Sequence, residues 1–120
     1  MECRINAEDP AQDFQPSPGM VRSVMWPAGE GIRVDTHIVS GSYIPPFYDS
    51  LLAKIIAHGP DRSSALKRLR QAIARTRVEG VTTNLGFHGE VLADPEFERG
   101  GVETSFLARF LERRPLPLET

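Results

Sequence analysis

The sequence predicts an α+β domain in which antiparallel strands fill the first half and helices follow. Two patterns carry this prediction. Apolar and polar residues alternate in segments 2–7 and 32–39, and apolar residues recur at three- and four-residue spacing after position 61. Strands that precede helices are typical of an α+β fold, whereas a doubly wound sheet needs the two to alternate. The 120 residues allow one domain, predicted at 1–112 with a tail at 113–120.

The first half contains four candidate strands. Alternation in segment 2–7 places Cys3, Ile5 and Ala7 together on the side predicted to be buried. Pro45 and its neighbour Pro46 exclude a regular helix or a central strand around them. Further strands are predicted at 20–26, 32–39 and 51–57, and an irregular segment at 41–49.

Helices are predicted in the second half. Asp61 or Ser63 can cap the free N–H groups of a first helical turn, and Gly80 is predicted to end that helix. Two shorter helices are predicted at 84–93 and 105–113. The apolar stripe of the first helix consists of Ala65, Leu66, Leu69, Ala72, Ile73 and Thr76.

Composition excludes several classes of protein. The net charge of −2, from 14 basic and 16 acidic residues, gives no basic excess that would indicate a nucleic-acid or membrane-surface partner. No apolar run is long enough to span a bilayer. Cys3 is the only cysteine, which excludes an intrachain disulfide and favours the reducing cytoplasm. A strand that begins at residue 2 further suggests that a segment is missing before it.

Few residues indicate chemistry by themselves. His37, His58 and His88 lack metal-ligand spacing and are expected to be surface or locally bonded side chains. Cys3 is expected to be a small buried hydrophobe rather than a nucleophile. Gly100-Gly101 is interpreted as a turn in preference to an anion site at a helix N-terminus. The basic face of the first helix is interpreted as solvated, with a nucleic-acid or acidic partner as the weaker alternative.

Arg4, Arg33 and Asp49 leave two interpretations open. An arginine on the polar face of a strand is usually only solvated. A guanidinium held by a rigid strand, however, can also bind a planar carboxylate or bicarbonate through paired N–H donors. Asp49 follows a stiff proline-containing segment, so it is either a surface carboxylate or a contact residue.

A family resemblance adds to this interpretation. It begins at ECRINAEDP (2–10), which resembles the start of the C-terminal domain of biotin carboxylases, and continues in the same order to about residue 112. Because several short motifs in one order are more specific than any one of them, the chain is identified as similar to that family over nearly its whole length. The other matching strings are FQPSPG (14–19), GIRVD (31–35), PPFYDSLLAK (45–54), TTN (82–84), FERGG (97–101) and TSFL (104–107).

The resemblance implies an ATP-dependent ligase. In the family, ATP and bicarbonate give carboxyphosphate, and CO2 then passes to the ureido nitrogen of biotin on a biotin carboxyl carrier protein, as a step of acetyl-CoA carboxylase and related enzymes. Arg4 matches the arginine that holds bicarbonate and the biotin ureido oxygen, and Thr104 matches a position beside the adenine of ATP. ATP and Mg²⁺ belong to an ATP-grasp portion whose motifs are absent from this sequence, so we expect none of these cofactors to be bound by this chain alone.

Arg33 and Asp49 match interface positions of the bacterial homodimer. Glu30 stands where the bacterial enzyme has an interface aromatic, and this departure puts the same dimer in question. The resemblance therefore predicts a catalytic fragment that is inactive alone, with a cytoplasmic location and a link to fatty acid biosynthesis. The alternative is a noncatalytic docking or dimerisation module.

Overall fold

The computed structural model describes residues 1–46, 50–95 and 97. Within these ranges the chain forms nine short strands, one 3-10 turn and two α-helices. This confirms the predicted mixture of antiparallel strands and helices. The strands are β1 (Glu2–Asn6), β2 (Glu8–Asp9), β3 (Gln15–Pro16), β4 (Gly19–Met20), β5 (Ser23–Met25), β6 (Ile32–Thr36), β7 (Tyr43–Ile44), β8 (Leu51–Ala57) and β9 (Arg77–Glu79), and the helices are α1 (Arg62–Arg75) and α2 (Leu85–Ala93).

The main sheet consists of β1, β8 and β6, with β8 in the centre and both pairings antiparallel. Cys3 and Val34 lie on either side of Ile55, and these residues face the core. Ile5 and Ile55 have no exposed surface. Full burial of such a side chain stabilises the fold by roughly 1.5–3 kcal/mol. The predicted buried side of segment 2–7 is therefore confirmed.

Helix α1 packs against β8 and α2. Asp61 caps it by accepting a hydrogen bond from the Ser64 N–H at 2.7 Å. The prediction that Gly80 ends this helix is wrong. The helix ends at Arg75, because Thr76 turns to extended backbone and the chain continues into β9.

The remaining strands form three two-stranded pairs, β2–β3, β4–β7 and β5–β9, which we call the short ladders. The predicted single strand at 20–26 is wrong, because β4 and β5 pair with different partners. Val21, between them, is fully buried and exchanges backbone hydrogen bonds with the 41–42 turn, whereas the Arg22 N–H donates to Glu79. The segment 41–49, predicted to be irregular, contains the two-residue strand β7.

Helix α2 agrees with the predicted segment 84–93 and buries Leu92. The predicted helix at 105–113 lies outside the described residues. No helix in the described ranges is long and apolar enough to cross a membrane.

Candidate functional site

Arg4 lies on the outer face of the main sheet, the face opposite the core. Its side chain is 61% exposed, and its Nε lies 3.6 Å from Glu2 Oε1. Exposed ion pairs of this kind contribute little to stability. A second anion can therefore compete with Glu2 for the Arg4 guanidinium at small cost.

A row of charges crosses the outer face at Arg4. The antiparallel register places Arg4 opposite Lys54 of β8, and Lys54 opposite Asp35 of β6. Directly opposed residues share a face, and like charges there repel one another. Arg4 and Lys54 are neighbouring cations in this row, with Glu2 beside Arg4 and Asp35 opposite Lys54. In the sequence, Lys54 stands out only as the last residue of the 45–54 motif. The cross-strand register is the signal that identifies it as a neighbour of Arg4.

The main chain of Arg4 is held from α2. The Asn84 side chain donates from Nδ2 to the Arg4 carbonyl at 3.1 Å and accepts from the Asn6 N–H at 2.9 Å. The Asn84 N–H in turn donates to the Asn6 carbonyl at 3.3 Å. Asn84 is only 6% exposed, so its hydrogen bonds to β1 are shielded from water.

His88 is a second contact to the same carbonyl. Its Nε2 lies 2.7 Å from the Arg4 oxygen, 84 positions away in the sequence. His88 is partly exposed, as expected of a surface histidine, but its hydrogen-bond partner is distant in the sequence. Burial lowers the pKa of His88, while the Arg4 carbonyl and the Glu8 charge act in the opposite direction. Because a carbonyl oxygen only accepts, the neutral ring must carry its proton on Nε2.

Arg33 lies on the same outer face, in β6. It donates from Nε and Nη2 to the two carboxylate oxygens of Asp35, at 2.8 and 3.1 Å. The Arg33 side chain is 68% exposed. Asp49 and Thr104, the other two residues selected from the sequence, lie outside the described residues.

Cys3 behaves as the sequence predicts. It is buried in the core, and burial raises the pKa of its thiol to about 11. The thiolate is the reactive form of cysteine, so Cys3 is unreactive at neutral pH. Within the described part of the chain, no group of three His, Cys, Asp or Glu residues could hold a metal ion.

The fold and the matched segment define a domain of the biotin-dependent carboxylases. Residues 2–109 match the family described as the biotin carboxylase C-terminal domain. The chain belongs to this family.

Similar proteins share this assignment. Biotin carboxylase from Pseudomonas aeruginosa is 47% identical over 111 residues, which are 92% of this chain and 24% of that protein. A pyruvate carboxylase subunit from Methanothermobacter thermautotrophicus is 40% identical over 92% of this chain and 22% of its own length. The chain thus spans about a quarter of the length of these relatives.

Solved structures agree with the fold. One is the biotin carboxylase domain dimer of the 2-oxoglutarate carboxylase from Hydrogenobacter thermophilus, in complex with MgADP, ADP and bicarbonate. It is 38% identical, has a TM-score of 0.89, and is matched over 92% of this chain and 24% of its own. Urea carboxylase from Kluyveromyces lactis is 40% identical with a TM-score of 0.84, over 88% of this chain and 9% of its own.

Proposed function

We propose that this chain is the C-terminal part of a biotin carboxylase and that Arg4 is its contribution to the reaction. The observation that carries the proposal is the exposed Arg4 guanidinium on a strand whose main chain is fixed by Asn84 and His88. A planar guanidinium can donate two parallel hydrogen bonds to a carboxylate. It therefore fits bicarbonate, and it fits the ureido oxygen of biotin as negative charge develops there.

The proposed role of Arg4 is to orient bicarbonate and to neutralise its negative charge. Phosphoryl transfer from ATP takes place in the ATP-grasp portion. Bicarbonate held by Arg4 is placed for attack on the γ-phosphate of ATP, which gives carboxyphosphate and ADP. Carboxyphosphate then breaks down to CO2 and inorganic phosphate. The ureido N–H of carrier-bound biotin gives its proton to a base such as the released phosphate, and the nitrogen bonds to the carbon of CO2 while Arg4 stabilises the charge on the ureido oxygen. The cationic neighbour Lys54 adds to the local positive potential that attracts bicarbonate.

We propose that ATP and Mg²⁺ bind elsewhere in the complete enzyme. Mg²⁺ requires oxygen ligands such as carboxylates, and among the described residues no group of three His, Cys, Asp or Glu side chains could hold a metal ion. We assign nucleotide and metal to an ATP-grasp portion outside this sequence, with Thr104 near the adenine. The chain alone is then expected to lack ATP turnover.

We propose that the parent enzyme is a cytoplasmic acyl-CoA carboxylase, a class that includes the acetyl-CoA carboxylase of fatty acid biosynthesis. The matched relatives include one component of a pyruvate carboxylase. The carboxylated biotin carrier must therefore be offered to the parent enzyme's carboxyltransferase with both acetyl-CoA and pyruvate as acceptors, and transfer to pyruvate alone would overturn this part of the proposal.

A biotin-carboxylation assay tests the central proposal. The full chain is combined with the ATP-grasp portion of the Pseudomonas aeruginosa enzyme, either mixed or fused, and supplied with ATP, Mg²⁺, bicarbonate and biotin. We expect activity only in the combination, and Arg4→Ala should lower kcat/KM by roughly 100-fold or more. Arg22→Ala is the matched control, since Arg22 lies outside the main sheet. Equal rates for Arg4→Ala and the unmodified chain would refute the role of Arg4.

A docking or dimerisation module is the second candidate. It is favoured by the exposed Arg33–Asp35 pair on the outer face of β6 and by the dimer in the related 2-oxoglutarate carboxylase domain. If docking is the main role, charge reversal by Arg33→Glu or Asp49→Lys should abolish assembly in sedimentation experiments. A dimer that survives both changes would count against this candidate.

A further inference from the structure

The carbonyl of Arg4 receives two side-chain donors. In an antiparallel pair, alternate residues of a strand turn their backbone groups away from the partner strand. Arg4 does so in β1, and its carbonyl accepts from Asn84 Nδ2 at 3.1 Å and from His88 Nε2 at 2.7 Å. A carbonyl oxygen has two lone pairs. Both are therefore occupied by groups from the start of α2.

The two donors come from one rigid unit. The His88 N–H donates to the Asn84 carbonyl at 3.0 Å, which closes the first turn of α2. Residues at this spacing lie one above the other on the same face of a helix. The Arg4 peptide is thus fixed relative to α2 as well as to β8.

The hydrogen bond from His88 is not needed to give the buried backbone groups of β1 a partner. Asn84 by itself pairs with both the Arg4 carbonyl and the Asn6 N–H. Loss of the His88 donor would therefore leave no backbone group without a partner, and the stability cost should be small. A donor that the fold can lose is better explained by a requirement for accurate placement.

We propose that Asn84 and His88 are positioning residues for Arg4, which act through its main-chain carbonyl and do not touch substrate. This inference rests on the proposed function, because placement affects the rate only if Arg4 binds bicarbonate or biotin. The Arg4 side chain ends in an exposed guanidinium whose pairing with Glu2 is loose. The direction in which the guanidinium points therefore depends on the position of the Arg4 backbone.

The test compares two substitutions of His88 that differ in one donor. His88→Gln keeps a side-chain N–H that can reach the Arg4 carbonyl, and His88→Leu removes it. His37→Leu is the matched control because His37 is exposed. In the combined assay with the Pseudomonas aeruginosa portion, we expect His88→Leu to lower kcat/KM for bicarbonate roughly 10- to 100-fold. The KM for ATP should be unchanged, His88→Gln should restore most of the loss, and His37→Leu should have no effect.

The outcomes separate this inference from the proposed function. If Arg4→Ala abolishes activity while His88→Leu and His88→Gln both match the unmodified chain, positioning by His88 is wrong and the role of Arg4 stands. If Arg4→Ala itself has no effect on activity, the proposed role of Arg4 is wrong, and the positioning role of His88 has no basis.

A measurement on the full chain alone does not depend on activity. The amide of Ile5 shares a peptide unit with the Arg4 carbonyl, so its NMR order parameter reports how firmly that unit is held. We expect the order parameter to fall in His88→Leu and to recover in His88→Gln. An unchanged value in His88→Leu would overturn the inference.

Discussion

The main sheet and the short ladders of this chain are held in different ways. The main sheet is continuous with α1 in one core, where Ile5, Ile55 and Leu69 are at most 1% exposed. The short ladders have two or three residues per strand and leave Met20, Met25 and Tyr43 more than half exposed. Arg4 lies on the main sheet. The candidate site is thus built on the region with the most buried surface, whereas the ladders add single residues such as Ile44 to the core and depend more on local backbone geometry.

Truncation of a core side chain should show the largest difference between the two regions. Leu69→Ala removes a buried side chain between α1 and the sheet and should destabilise the chain by about 2–5 kcal/mol. Met25→Ala, in β5, should change the free energy of unfolding by about 0.5 kcal/mol or less, since Met25 is 63% exposed. Chemical denaturation of both variants measures the two values. Similar losses would mean that an exposed ladder side chain contributes as much stability as a core side chain.

Backbone geometry should dominate in the short ladders. Gly80 has a φ of +108°, and a Cβ there would collide with the Met20 carbonyl and lie 2.8 Å from the Arg22 nitrogen. Gly80→Ala should therefore cost roughly 2–4 kcal/mol.

Gly41 provides the matched control for Gly80. It also has a positive φ, of +95°, but a Cβ there would meet open space. Gly41→Ala should cost about 1–2 kcal/mol, from backbone strain alone. Thermal unfolding of both variants gives the comparison, and equal losses would show that the contact with β4 is unimportant.

The smallest effect concerns the link between α2 and β1. Burial lowers the pKa of His88 below its usual 6.5, so the unfolded chain binds the proton more tightly than the folded chain. The stability that this pKa difference contributes is fully present above the pKa of His88 in the unfolded chain. It is lost as pH falls through the lower pKa of His88 in the folded chain. His88→Gln should reduce the loss of stability between about pH 8 and about pH 5. Denaturation midpoints across this range measure the effect, and an identical slope for the variant would contradict it.

Periodicity predicted the parts of the fold that have one buried face. Segments 2–7 and 51–57 and the stripe of α1 are long enough for alternation or helical spacing to be visible, and burial enforces that pattern. Strand β9 was missed because its three residues carry no period, and the chain uses the nearby Gly80 for a close approach to β4 rather than for a helix end.

The candidate site also contains residues that the sequence predicted and residues that it did not. Arg4 was found through a motif, because its neighbours are contiguous in sequence. The contacts that hold it were not found, because Asn84 and His88 lie 80 and 84 positions from Arg4. No local sequence pattern indicates that the start of α2 lies beside β1. Lys54 was overlooked for a related reason: its place opposite Arg4 follows from strand register, which segment patterns leave open.

The bonded edge of β1 also bears on association between chains. An open sheet edge presents free N–H and C=O groups on which a foreign strand can pair and start aggregation. The Arg4 carbonyl and both backbone groups of Asn6 are already bonded to side chains and backbone from the start of α2. A strand from another molecule would have to displace Asn84 and His88 before it could add there. The same two side chains therefore protect the chain against edge-to-edge polymerisation.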